Sequence, residues 1–573
     1  MENSMPPEQQ EFQFEPIKGY PYLHWKGKQP YTSTQYFPAQ SRERIGEEQD
    51  GWINRLYWGD NLQVMSHLLK EFRGKIDLIY IDPPFDSKAD YKRKIEVRGK
   101  TTESDFSTFE DKQYEDIWSN DEYLQFMYER LILMRELLSD KGSIYLHCDW
   151  RKNHYLRMVL DEIFGQDNFK NEIIWTYVKG ASSNNSFGRK HQTAFYYSKN
   201  EKPTFNLNDV RIEYSEETIA RAKRGEARYK NVDADAMEEK GKNPGDVWTD
   251  IFPIQGNSVQ NTDYPTQKPE ALLERIIKAS SNPGDIVFDC FMGSGTTQAV
   301  AMKLGRRFIG ADINLGSIQT TMKRLSKIKK ELDAALETDG KKYTSFKIFN
   351  VNKYDFFRNP VQAKDLLIDY FSLQKLDSNS PYDGRKDGRM WKIMPVNRIA
   401  SKADISAFVA NLPYNEFEKI KEKNPHEAVE NFTLVCMGHE PGLKAELEKQ
   451  LASYKIDVEI VDILRNEAVL ELKREAEADV QRNGNKLIIK KFYPMNLMQK
   501  LSLERTTVKD WKELVDSVMI DFNYDQVEMQ PSVMDIPEKN EFVKGEYEIP
   551  KDAGRIRVRI TDLISESYET ELV

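Results

Sequence analysis

The run Ile76-Asp-Leu-Ile-Tyr-Ile81 restricts this chain more than any other stretch. It is short and almost wholly apolar, the pattern of a strand buried on both faces. Asp82-Pro83-Pro84-Phe85 stops it. Neither proline can donate to a sheet ladder, and each holds the residue before it in extended or turn geometry. The strand must end there, and a rigid loop then presents one carboxylate, two bare carbonyls and one ring. In an open α/β sheet, ligands bind at the carboxyl ends of strands. Carboxylates and carbonyls only accept hydrogen bonds, and a ring beside them can stack on a flat ligand. Together they suit a planar group carrying NH2, such as adenine or cytosine. A Pro-Pro turn with a capping aspartate is the plainer reading of the same four residues.

The surrounding pattern predicts an α/β fold. A strand over 55–62 ends at Gly59-Asp60, and a helix to about residue 70 places Val64, Leu68 and Leu69 on one face. Helical periodicity runs from 121 to 138 and again from 153 to 164, on either side of a buried strand at 142–148. Residues 171–178 read as a strand with 191–198 as its hairpin or neighbour. Such alternation implies a doubly wound, mostly parallel sheet with helices on both faces. Residues 86–117, with Lys88, Lys92 and Arg93, read as a long charged loop, and loops of that length tend to be functional or disordered.

From about 200 to 262 the alternation breaks. This stretch is locally basic, with Arg221, Lys223, Arg224, Arg228 and Lys230, and reads as an insertion. Beyond it, a helix over 270–280 leads to a strand, the Gly-rich turn Phe291-Met-Gly-Ser-Gly-Thr-Thr297, a helix, and a strand ending at Asp312. A Gly-rich turn of this kind aims free backbone N–H groups at a ligand from a helix N-terminus. A P-loop needs lysine after its last glycine, but Thr296 follows Gly295. A dinucleotide fingerprint needs a third glycine, but Gln298 stands there. A nucleoside without pyrophosphate remains, with Asp312 near the spacing of about 20 residues expected of a ribose-binding acid. S-adenosylmethionine has that form.

Bulk properties set the outer bounds. A chain of 573 residues is too long for a single core. Its three scattered cysteines argue against zinc sites and disulfides and fit a reducing cytosol. The sequence is read as carrying no signal peptide and no apolar run long enough for a membrane. With a net charge of −10, any nucleic acid must meet a local basic patch.

Three motifs in one order carry a resemblance. Asp82-Pro-Pro-Phe85, the glycine turn with Asp289 two residues before Phe291, and Pro265-Thr-Gln-Lys-Pro269 resemble the motifs of S-adenosylmethionine-dependent DNA methyltransferases acting on exocyclic amines. With the catalytic motif first and the cofactor loop last, the order is similar to that family's β arrangement. The resemblance implies catalytic roles for Asp82, Pro83, Pro84 and Phe85, and cofactor contacts from Asp60, Lys268, Asp289, Phe291, Gly293, Gly295, Thr296, Thr297 and Asp312. It implies base flipping in double-stranded DNA, without a metal. The insertion would be the target-recognition region, with the basic residues above and Lys88, Lys92 and Arg93 on DNA. An aspartate at position 82 favours adenine N6 within the family; cytosine N4 chemistry is the alternative, and a vestigial methylase fold serving as a scaffold is another. The length resembles type III modification subunits, which implies a homodimer and a restriction helicase–nuclease subunit as partners.

These readings divide the chain into an arm, partly disordered, at 1–50, a catalytic half at 51–199, the insertion at 200–262, a cofactor half at 263–335 and an α+β accessory domain at 345–573. In the last, strands are expected at 432–436 and 458–461 around a helix at 443–451, and at 487–492. The strictly alternating 555–560 reads as half-buried with a basic outer face. Asp521 and Asp525 lack the partner acids of a nuclease.

Overall fold

The computed structural model describes residues 11–13, 22–84, 90–97, 108–115, 120–177, 185–224, 233–255, 258, 260–262, 264, 266–334, 343–351, 364, 367–368, 370–376, 380–394, 400, 402–424, 428–436, 439, 442–463, 476–495, 497–498, 501, 508–538 and 541–572. Ten strands form one sheet: β1 (Ala39–Ile45), β2 (Asn54–Trp58), β3 (Ile76–Ile81), β4 (Leu138–Cys148), β5 (Phe169–Thr176), β6 (His191–Ser198), β7 (Val247–Trp248), β8 (Ile286–Asp289), β9 (Arg307–Asp312) and β10 (Phe346–Val351). Their order is β7-β5-β6-β4-β3-β8-β9-β2-β10-β1. From β4 to β10 in that order, all neighbours are parallel. β6 runs against both β4 and β5, and β1 against β10.

Strand residues alternate between two cores, as a pleated strand covered on both sides requires. Ile79 and Ile81 of β3 pack with α1 (Asn61–Phe72), α2 (Asn120–Leu137) and α3 (Asn153–Phe164). Leu78 and Tyr80 pack with α6 (Glu270–Ser280), α7 (Thr296–Lys303) and α8 (Leu315–Ala334), while α4 (Glu216–Lys223) and α5 (Ala234–Lys240) lie in the insertion. The connection leaving β3 through α2 and the one leaving β8 through α7 thus cover opposite faces. β3 and β8 are neighbours, so their carboxyl ends bound the crevice at the topological switch point, where ligands bind in such sheets.

Several boundaries differ from the sequence reading. The arm supplies edge strand β1, paired antiparallel with β10 from Phe346 opposite Ile45 to Val351 opposite Ala39. Residues 90–96 and 108–115 are not loop: they pair as an antiparallel hairpin whose register sets Ile95 opposite Phe109 and Tyr91 opposite Tyr114. High charge hides that alternation. The insertion returns to the sheet as β7, parallel to β5, because buried Trp248 fills the core beside Trp175. The accessory region begins too early at 345, since β10 belongs beside β2.

Beyond β10 there are two further bodies. A five-stranded sheet includes the parallel strands Arg389–Ile393, Glu430–Cys436 and Ile456–Asp462, with the helix Leu443–Gln450 against them. A β-rich body carries Val515–Asp521, Ile556–Asp562 and Ser567–Leu572. The basic face foreseen at 555–560 is not open: Arg557 and Arg559 pair with Glu569, and buried Arg559 pairs with Glu43 of β1. Asp521 and Asp525 accept from backbone N–H groups of their own turns.

Candidate active site

β3 and β8 are in register at Ile79 and Phe288. Asp82 and Phe291, each three residues further on, therefore stand side by side at the switch point. Asp82 projects one oxygen to Lys268 in an ion pair. Its other oxygen, Oδ1, is buried with no hydrogen-bond partner among the described residues. A buried acceptor left open costs about 1–3 kcal/mol, so this oxygen can take a donor from a ligand. Pro83 is buried and Pro84 half-buried. Phe85 lies outside the described residues, as does Pro265.

Behind Asp82 lies a polar cluster that sequence reasoning missed. His147, fully buried at the end of β4, meets the Tyr80 hydroxyl at 3.1 Å and Gln192 at 2.7 Å. Burial, with the nearby Lys268 charge, lowers its pKa to about 4, so the ring is neutral at pH 7. The only signal in the sequence was a polar residue within an apolar strand run.

The glycine turn is held from three sides. Asp289 accepts from the Phe291 N–H at 2.9 Å and the Thr297 hydroxyl at 2.6 Å. Asp312 accepts from the Gly293 N–H at 2.9 Å and the Asn314 N–H at 2.8 Å. Arg324 donates to Thr296 Oγ1 at 3.0 Å, to the Ser294 carbonyl at 3.2 Å and to Glu270 at 2.7 Å. Gly293 and Gly295 have φ of +51° and +71°. A Cβ on Gly295 would stand 2.5 Å from the Thr321 side chain, so both backbone angle and space demand glycine there. Burial pushes the Asp289 carboxyl up to about 7 and the Asp312 carboxyl up to about 6. Phe291 is half-buried against Phe126, with ring centroids 6.1 Å apart.

Other expected residues fall in different places. Lys268 meets Asp82, so its partner here is the loop after β3. Asp60 caps α1 through the N–H groups of Leu62 (3.0 Å) and Gln63 (3.3 Å) and pairs with buried Arg130 at 2.9 Å. Its carboxylate thus orders the loop after β2. Arg221 pairs with Glu217 at 2.5 Å and Lys223 with Glu238 at 2.6 Å, both exposed, and Arg224 follows at the end of α4. Lys88, Arg228 and Lys230 lie outside the described residues. Lys92 and Arg93 fall on the hairpin strand Asp90–Glu96, their side chains outside the description.

Residues 76–323 match a family model described as DNA methylase. The chain is 34% identical over 248 residues to the type II methyltransferase M1.MboII of Moraxella bovis, across 42% of this chain and 85% of that protein. It is 30% identical over 273 residues to the DNA adenine methyltransferase YhdJ of Escherichia coli, across 47% of this chain and 81% of that one. Over 422 residues it is 26% identical to the probable type III restriction-modification enzyme HindVI Mod subunit of Haemophilus influenzae, covering 51% of this chain and 53% of that one.

Proposed function

Because the chain belongs to the N6/N4 DNA methylase family, we propose that it transfers the methyl group of S-adenosylmethionine to the N6 amino group of a flipped-out adenine in double-stranded DNA. The observation that carries this reading is the open Oδ1 of Asp82, beside the glycine turn. The residues fit the cofactor. Gly293 and Gly295 keep the turn free of side chains. Phe291 offers a ring to adenine, and Asp312 stands at the strand end where a ribose would be met. The ionised forms of Asp289 and Asp312 suit a cation. Bound there, S-adenosylmethionine supplies an electrophilic methyl on a positively charged sulfur.

The protein's part is placement and hydrogen bonding. A target base must leave the helix to expose its amino group. Phe85 stacks on it, while Asp82 Oδ1 and a carbonyl of Pro83 or Pro84 accept its two amino hydrogens. Those bonds draw the nitrogen toward the tetrahedral geometry it must reach in the transition state. Lys268 fixes the second oxygen of Asp82 and so leaves Oδ1 for the substrate. Holding nitrogen and methyl in line supplies much of the remaining acceleration. Target choice belongs to the insertion at 200–262. A second copy of the chain and a restriction helicase–nuclease subunit are the partners in this reading; light scattering and co-purification distinguish it from a solitary monomer.

The decisive experiment follows labelled methyl from the cofactor into unmethylated, polymerase-copied DNA and identifies the nucleoside. Label in N6-methyladenine is expected. Asp82→Ala should reduce transfer by about 10²–10³-fold, the magnitude of a lost transition-state contact, with cofactor affinity within about twofold. Label in N4-methylcytosine, or in RNA alone, would overturn the adenine assignment.

A further inference from the structure

Just past the carboxyl end of β4, beside the catalytic strand, an aromatic and basic cluster stands in solvent. Trp150 is 44% exposed, and the Arg189 guanidinium carbon lies 3.8 Å from its ring centroid. Phe187 is 100% exposed. Register places all three at the mouth of the site. Ile81 pairs with Leu146, so Asp82 is level with His147 and Trp150 stands three residues beyond. At roughly 3.3 Å per residue, that is no more than about 10 Å along the strand. β6 runs the other way, with Thr193 beside Cys148, so the segment 185–190 entering β6 arrives at the same edge.

A fully exposed phenylalanine next to an exposed tryptophan marks a surface that a partner covers. Charge identifies the partner. Residues 185–190 read Asn-Ser-Phe-Gly-Arg-Lys and contain no acid, in a chain whose net charge is −10. Arg151 is paired with Asp149, whereas Arg189 and Lys190 are both exposed. An arginine stacked on an indole presents N–H donors at its rim to phosphate, and exposed rings beside it suit unstacked bases.

Resting on the reading of this chain as a DNA methylase, we propose that Trp150, Phe187 and Arg189 form the surface that grips duplex DNA beside the flipped nucleotide. Arg189 contacts a phosphate, and Phe187 and Trp150 cover the bases exposed when the target leaves the stack. All three side chains are exposed, so Phe187→Ala, Arg189→Ala and Trp150→Ala can be tested in the full chain. The binding probe is a labelled random-sequence duplex, followed by anisotropy across salt concentrations with S-adenosylhomocysteine present. Arg189→Ala should weaken binding about tenfold and lower the salt slope by about 0.9, the share of one phosphate contact. Phe187→Ala and Trp150→Ala should each lower methyl transfer to duplex DNA on the order of tenfold, with cofactor affinity unchanged. If all three variants bind and methylate duplex DNA like the parent protein, this surface serves another purpose, and the methylase reading stands. A parallel loss of cofactor affinity would equally overturn a local role on DNA. If the parent protein itself transfers no methyl to DNA, the underlying reading fails instead.

Discussion

Asp289 and Asp312 show how single residues tie the cofactor loop to the fold. Burial is the largest influence on Asp289 and outweighs the stabilising Thr297 and Phe291 donors; Asp82 and Asp312 push its pKa the same way, up to about 7. Burial does the same to Asp312, up to about 6. An unfolded chain releases these protons near pH 4. The folded chain therefore holds extra protons between about pH 4 and pH 7, and this contribution to the stability of the free protein falls as pH rises through that window. A cationic ligand favours the ionised pair and reverses the trend. The Kd for S-adenosylmethionine should thus fall as pH rises from 5 to 7, by up to about tenfold per pH unit for each of the two carboxyls, and level off above. Calorimetric titration in buffers of different ionisation heat should also record proton release on binding. A Kd that is flat from pH 5 to 8 would contradict this account of the pair.

Elements were legible wherever pattern and punctuation agreed. The helices Asn153–Phe164 and Glu270–Ser280 and the strands His191–Ser198 and Arg307–Asp312 lie where periodicity placed them. Asp82 and the glycine turn stand out in the sequence because proline and glycine restrict the backbone in ways that leave few alternatives. Elements were lost where the deciding contact is remote. Val247–Trp248 has too few residues to show a period; only docking of Trp248 beside Trp175 makes it a strand. β10 alternates clearly, but its place is fixed by residues far away. Asn54 accepts from the Phe308 N–H at 2.8 Å and donates to the Ser345 carbonyl at 3.0 Å, joining β2 to its neighbours on both sides. Tyr80, His147 and Gln192 come from three strands, and no spacing links them. Arg324 reaches the glycine turn from α8, a helix whose sequence reads as an ordinary charged surface.

At the scale of the whole molecule, the last β-rich body is part of the methylase core's cover. Met519 and Met529 are buried in the same cluster as Ile318, Met322 and Leu325 of α8. Arg42 and Arg44 of β1 exchange backbone hydrogen bonds with Met529, both at 2.9 Å. Lys347 meets Glu528 at 3.2 Å, and Lys323 pairs with Asp516. Arg559 is a buried charge in this interface, between Glu43 and Glu569. Replacing a whole buried ion pair by apolar residues can be neutral, but removing one partner leaves the other desolvated and alone, at about 3–5 kcal/mol. Arg559→Met keeps the volume and strands Glu43, so it should lower stability by roughly that amount in denaturant titration. Because the site lies at the centre of the sheet, at β3 and β8, with β9, β2 and β10 between it and β1, cofactor affinity should stay within about twofold while hydrogen exchange rises in Ala39–Ile45 and Val515–Asp521. Glu43→Gln added to Arg559→Met should recover part of the loss, since a neutral amide is cheaper to bury unpaired than a carboxylate. If Arg559→Met is as stable as the parent chain, the β-rich body is held by its apolar contacts alone, and the buried charges only set its orientation.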